Sequence, residues 1–230
     1  MFPINDTVPH EKFPIINWTL IILNAIVFFF ELSLDEKAIE EFFLTYGLVP
    51  SDFTNANKLN PLIYIPFISN MFLHGGWGHF IGNMWTLFIF GDNVEDRMGR
   101  FRYLLFYLIC GVLASATHYY LYQTSTIPSL GASGAISGIM GAYLFLFPKS
   151  RIIFFIPVLF IPFFIPIPAF IYLIIWFGGQ FLSGTYTLFH NVAAGIAFWA
   201  HIGGFASGAL IHWIFVKRKR RSYRSYKSNR

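Results

Sequence analysis

The sequence predicts an all-α membrane protein: a bundle of six transmembrane helices with a long, partly embedded outer loop between the first and second. Three observations predict it. The chain is hydrophobic over 56% of its 230 residues and charged over only 12%, against about 25% charged in soluble domains. Six apolar runs are each long enough to cross a hydrocarbon core about 30 Å thick as a helix. The basic residues gather in alternate connecting segments, as they do in chains threaded back and forth through a bilayer. This composition excludes a soluble globular enzyme, a disordered chain and a disulfide scaffold. The single Cys110 has no internal partner.

The first span is expected over residues 14–32. Polar residues precede it, no small-residue cleavage site follows and Glu31 closes it, so it lacks the form of a signal peptide. Residues 33–65 are too long and too polar for a tight turn. EKAIEEFFLTYGLVP within them has helical spacing and is expected on the outer surface. The second span is expected over 66–91, and GDNVEDRMG follows it, where Glu95 and Arg97 are expected to tie down the loop to a third span over 101–122. A fourth is expected over 130–147. Residues 152–168, IIFFIPVLFIPFFIPIP, hold four prolines. No regular helix tolerates that density, so the segment is expected to be a partly embedded loop leading into a loosely packed fifth span over 168–184. The sixth span is expected over 192–216. The expected organisation is an N-terminal segment 1–13, a six-helix domain 14–216 and a basic tail 217–230.

With the N-terminus cytoplasmic, the inner segments hold 14 of the 16 Lys and Arg residues, eight of them in the tail KRKRRSYRSYKSNR. Only Lys37 and Lys58 lie outside. This fits the positive-inside rule and returns the C-terminus to the cytoplasm. The tail is expected to set topology and touch anionic lipid, with no nucleic-acid partner.

Polar groups at membrane depth are expensive and point to function. Four stand out: His79 and Asn83 in the second span, Ser133 in the fourth and His201 in the sixth. Counted from the inner ends of their spans at about 1.5 Å per residue, Ser133, His201 and His79 lie about 22, 24 and 20 Å up. That common level predicts one site, below the outer surface and open to water. Gly134 and Gly138 in the fourth span and Gly204 and Gly208 in the sixth form small faces that let two helices approach closely. Close approach would let His201 take the proton of Ser133, which is a poor nucleophile without a base. Residues 97–230 contain no Asp or Glu, so a two-residue dyad is expected. His79 and Asn83, four apart on one helix face, could both donate to an oxyanion.

The residues that carry this reading resemble the rhomboid intramembrane serine proteases. The resemblance rests on FLHGGWGHFIGN (72–83), FGDNVEDRMG (90–99), GASGAISGIMGAYL (131–144) and AHIGGFASGAL (200–210), in that order. It covers nearly the whole chain and looks like the minimal six-span bacterial form, which implies a bacterial inner membrane. It implies Ser133 as nucleophile, His201 as general base, and His79, Asn83 and the Ser133 N–H as oxyanion hole. It also implies single-span membrane proteins as substrates, entering past a mobile fifth span, with no metal and no soluble cofactor. Two features depart from the family pattern. Ser137 stands where some members carry an aromatic against the catalytic His, leaving nearby Trp199 as a candidate support. Residues 33–65 hold no Trp-Arg pair.

Each residue also has a plainer reading. Ser133 could be a packing serine like Ser137 or Ser207, His201 a buried structural histidine, and His79 and Asn83 interhelical bonds. His74 is expected to cap or pack the HGGWG turn, and His118, His190 and His212 to be interfacial or packing residues. No histidine combines with carboxylates at metal-ligand spacing, which argues against a metalloprotease. Two competing functions are a catalytically silent rhomboid-like protein that binds transmembrane helices, and a transporter or channel. The first would usually lack the Ser or His. The second predicts midplane polar groups and paired repeats, and neither is visible.

Overall fold

The computed structural model describes residues 2–9, 11–158, 161–190 and 197–217. Nearly all of the basic tail and the first residues expected in the sixth span lie outside them. The chain begins with strand β1 (Phe2–Asp6) and helix α1 (Ile15–Glu31). Residues 33–65, expected as a partly helical loop, contain α2 (Glu36–Tyr46), α3 (Pro50–Asn55) and a 3-10 turn over Pro61–Tyr64. The Asp35 carboxylate accepts from the Ala38 N–H at 2.8 Å and starts α2. Phe53 packs edge-on against Phe67 and Tyr119, each at 4.9 Å between ring centres. That aromatic cluster seats the segment on the bundle without the Trp-Arg pair.

The second expected span is shifted. Residues 66–72 form the short helix α4 (Pro66–Ser69) and a 3-10 turn, and the long helix α5 runs Trp77–Met98. No loop follows, because Gly99 at φ 78° turns the chain straight into α6 (Arg100–Leu121). The charges of GDNVEDRMG suggested a loop, but Glu95 is buried for another purpose. Its carboxylate accepts from the backbone N–H groups of Ile16 (3.2 Å) and Asn17 (2.8 Å) at the start of α1. A helix start leaves several N–H groups without partners, and a carboxylate there is stabilising.

Helix α7 (Ser133–Leu146) follows. Residues 152–168 then correct the all-α expectation. They form a hairpin, β2 (Arg151–Val158) and β3 (Ile161–Pro168), and β1 pairs antiparallel with β2 to give a three-stranded sheet in the order β1-β2-β3. The prolines exclude helix but not strand. Pro162, Pro166 and Pro168 share one parity on edge strand β3, so their missing N–H groups all fall on the unpaired side. Pro157 lies beyond the stretch of β2 that pairs with β1.

Helices α8 (Ala169–His190) and α9 (Phe198–Phe215) are the last described elements. Among the described residues α6 and α8 are both long and apolar enough to cross a membrane, and α1 and α7 are apolar but shorter, at 17 and 14 residues. The core gathers Tyr103, Tyr107, Tyr143, Phe90 and Phe106 between α5, α6 and α7, all essentially without exposure. At one end of it the Asp6 carboxylate, buried, accepts from Asn93 Nδ2 at 2.7 Å and from the Tyr143 hydroxyl.

Candidate active site

Helices α7 and α9 touch backbone to backbone. A Cβ on Gly204 would land on the carbonyl of Gly134, one on Gly208 on the carbonyl of Gly138, and one on Gly141 on the carbonyl of Phe205. The glycine faces expected from sequence therefore meet each other, and α6 closes the third side with Cys110 and Ala114. No side chain separates the two axes, so polar groups at the same level are drawn within bonding range.

Ser133 and His201 are such a pair: His201 Nε2 lies 2.7 Å from Ser133 Oγ. Both are half-buried. Ser133 is the first residue of α7 and its hydroxyl is presented by a tight approach. Gly131 holds φ 117°, a conformation that side chains disfavour, and its N–H donates to the Asn70 carbonyl at 2.8 Å. The N–H of Ser133 is among the first of the helix, which have no intrahelical acceptor and lie at its positive end.

His79 and Asn83 both come up to this turn. A Cβ on Gly131 would lie 2.5 Å from His79 Nε2 and 3.4 Å from Asn83 Nδ2. His79 is exposed and Asn83 buried. Asn83 is not free to turn: its Nδ2 lies 3.0 Å from His74 Nε2. An amide nitrogen only donates, so His74 accepts, and Asn83 keeps a second N–H. His74 itself is buried, and its backbone N–H donates to the Glu31 carboxylate at 3.1 Å. It holds Asn83 rather than merely packing a turn. His79 lies near the start of α5, whose far end is Met98, not Asp92. From there it is roughly 28 Å along the axis. The agreement in depth came from placing that end too early, although the ring does reach the turn before Ser133.

His201 has a second partner that sequence reasoning missed. Gln180 Oε1, from α8, lies 2.7 Å from His201 Nδ1. Trp176, one turn earlier, lies beside the imidazole with ring centres 6.1 Å apart. These two support His201 where an aromatic at 137 is lacking, while Ser137 turns its hydroxyl to the Ser133 carbonyl at 2.6 Å. Trp199, the candidate support, is engaged elsewhere: its Nε1 donates to the Gly184 carbonyl at 2.9 Å. The only available signal for Gln180 was an amide inside an apolar run.

A serine at the start of one helix thus meets a histidine from another, beside a turn approached by His79 and Asn83, within a helical bundle. The chain belongs to the rhomboid family: the Rhomboid domain matches residues 63–218, which include all four expected site residues. Rhomboid proteins are membrane proteins, and the family includes serine proteases. The chain is 27% identical over 186 residues to Rhomboid protein 1, mitochondrial, of Saccharomyces cerevisiae, an alignment covering 76% of this chain and 47% of that protein. It is 28% identical over 198 residues to RHOMBOID-like protein 12, mitochondrial, of Arabidopsis thaliana, covering 79% of this chain and 53% of that one. Over 79 residues it is 34% identical to the Bacillus subtilis protein named "Putative rhomboid protease YdcA", covering 34% of this chain and 39% of that one. The chain spans about half the length of the first two.

Proposed function

We propose that this protein is an intramembrane serine endopeptidase that cuts single-span membrane proteins near the outer end of their transmembrane helix. The observation that carries the reading is the 2.7 Å contact between His201 Nε2 and Ser133 Oγ. Helices α1, α5, α6, α7, α8 and α9 are the six spans in this proposal, within a domain at 14–216 onto which residues 2–6 are stitched by strand pairing. The termini lie in the cytoplasm, the basic tail 217–230 meets lipid headgroups, and the membrane is the bacterial inner membrane. Helix α7 has 14 residues and rises only about 21 Å, short of a core about 30 Å thick. Its first residue, Ser133, therefore sits below the outer surface, in reach of water from that side.

In the proposed reaction a substrate helix passes α8 and unwinds, presenting a peptide carbonyl to Ser133. His201 takes the hydroxyl proton as Oγ attacks. The oxyanion is held by the Ser133 N–H, the second N–H of Asn83 and His79, and one such donor contributes roughly 3–4 kcal/mol. His201 returns the proton to the leaving amine. Water then attacks the acyl-enzyme, with His201 again as base. The chemistry calls for no metal or soluble cofactor. The test is labelling by a fluorophosphonate on the full chain in detergent and in lipid. Wild type should label, and Ser133→Ala and His201→Ala should each lose the label while keeping their fold. Labelling that survives either change would sink the role of that residue.

A further inference from the structure

Helix α8 is long and apolar enough to cross a membrane, and one amide side chain, Gln180, sits in its middle. Gln180 is half-buried and faces α9. Trp176, Gln180 and Gly184 lie four residues apart, on one stripe of the helix. Each meets α9: Trp176 lies beside His201 and Phe205, Gln180 meets His201 Nδ1, and the Gly184 carbonyl accepts from Trp199. An amide at such a place in a membrane helix is costly without a purpose.

The atoms involved leave one arrangement of protons. A side-chain amide oxygen can only accept, so His201 Nδ1 carries the hydrogen and donates it to Gln180 Oε1. Nε2 then bears the lone pair, and the Ser133 hydroxyl donates to it at 2.7 Å. That is the tautomer a general base needs. The hydrogen bond at one imidazole nitrogen sets the state of the other. The remaining ionisable neighbours of His201 are His79 from α5 and His118 from α6, and neither can supply a carboxylate. No Asp or Glu follows Asp96.

We infer that Gln180 is a positioning residue: its side-chain oxygen fixes the tautomer of His201 and aims the bare nitrogen at Ser133. The inference rests on the proposed serine–histidine reading and adds to it a neutral third member, supplied by a different helix. A neutral acceptor orients the ring without burying a charge, which would be expensive at this depth. It also means that the base is correctly set only while α8 is seated against α9.

The test uses the full chain in lipid nanodiscs with ring-15N histidine, and compares wild type with Gln180→Leu and Gln180→Glu. In wild type, nitrogen chemical shifts should show His201 protonated at Nδ1 and bare at Nε2. Gln180→Leu should give a mixture of tautomers and slow fluorophosphonate labelling of Ser133 by about tenfold. Gln180→Glu keeps the acceptor and should retain the tautomer. Its charge favours the imidazolium, so the pH of half-maximal labelling should rise. A residue that only holds α8 to α9 would leave the tautomer unmoved when its acceptor is removed. An Nδ1-bare His201 in wild type, or an unchanged tautomer in Gln180→Leu, would overturn the inference. Should Gln180→Leu fail to fold, the wild-type tautomer and the closer-shaped Gln180→Met, which also removes the amide oxygen and should give the same mixture of tautomers, still decide it. A wild type that takes no label would count against the serine–histidine reading alone, since the tautomer is measured without activity.

Discussion

At the scale of single residues, the serine is presented by a glycine that cannot be replaced cheaply. Gly131 combines φ 117° with a His79 ring where a Cβ would go. Gly131→Ala should therefore cost about 1–3 kcal/mol in strain and displace the hydroxyl, seen as lost labelling with a modestly lower thermal midpoint. Asn83→Ala should leave the fold intact and lower turnover roughly 10²–10³-fold, the usual loss for one oxyanion donor. His74→Ala should act through Asn83, lowering turnover in the same direction and adding little when combined with Asn83→Ala. Ser133 and His201 were legible because each sits in a glycine-rich face at a matching distance from a helix end. Gln180 was not legible. Its partner lies 21 residues away on another helix, and nothing in linear spacing pairs an amide in one span with an imidazole in the next. The link between His74 and Asn83 was hidden for a related reason: their nine-residue separation crosses a turn before the helix begins.

At the scale of elements, α7 and α9 are the pair that makes the site. Their contact is carbonyl against glycine, with no side chain to yield. Gly204→Val or Gly208→Val should push the axes apart, lengthen the Ser133–His201 contact and cost about 1–3 kcal/mol. Lost labelling together with faster unfolding in denaturing detergent would show this; unchanged labelling would mean the helices can part without harm. This pairing could be read from the sequence because four-residue glycine spacing has one geometric meaning in lipid. The sheet could not be read so easily. Prolines in 152–168 argued correctly against helix, but the strand signal lay in their shared parity on β3, and in a partner, β1, more than a hundred residues earlier. The charged end of α5 misled for the opposite reason. Its charges were expected to tie down a loop to the next span, whereas Glu95 lies within the helix and is buried by its bonds to α1.

At the scale of the whole molecule, polar ties, most of them buried, bind distant parts of the chain. Glu95 holds the start of α1, Asp6 joins β1 to Asn93 and Tyr143, and the Lys217 N–H donates to the Arg97 carbonyl at 3.0 Å. Glu95→Ala should lower stability by about 1–3 kcal/mol by leaving the α1 N–H groups unpartnered. Labelling per folded molecule should change little, because α1 does not line the site; a large loss of labelling at constant fold would contradict that. The distance between the two reacting residues along the chain also bears on synthesis. Ser133 and His201, nucleophile and base in the proposed reaction, are 68 residues apart, and His201 lies on the last described helix. At about 5–20 residues per second, the ribosome makes the nucleophile roughly 3–14 s before its base. Through that interval the half-made chain already holds its serine in a membrane full of other helices, with nothing to activate it. On the proposed reading, the order of synthesis itself keeps the site silent until its final helix is made.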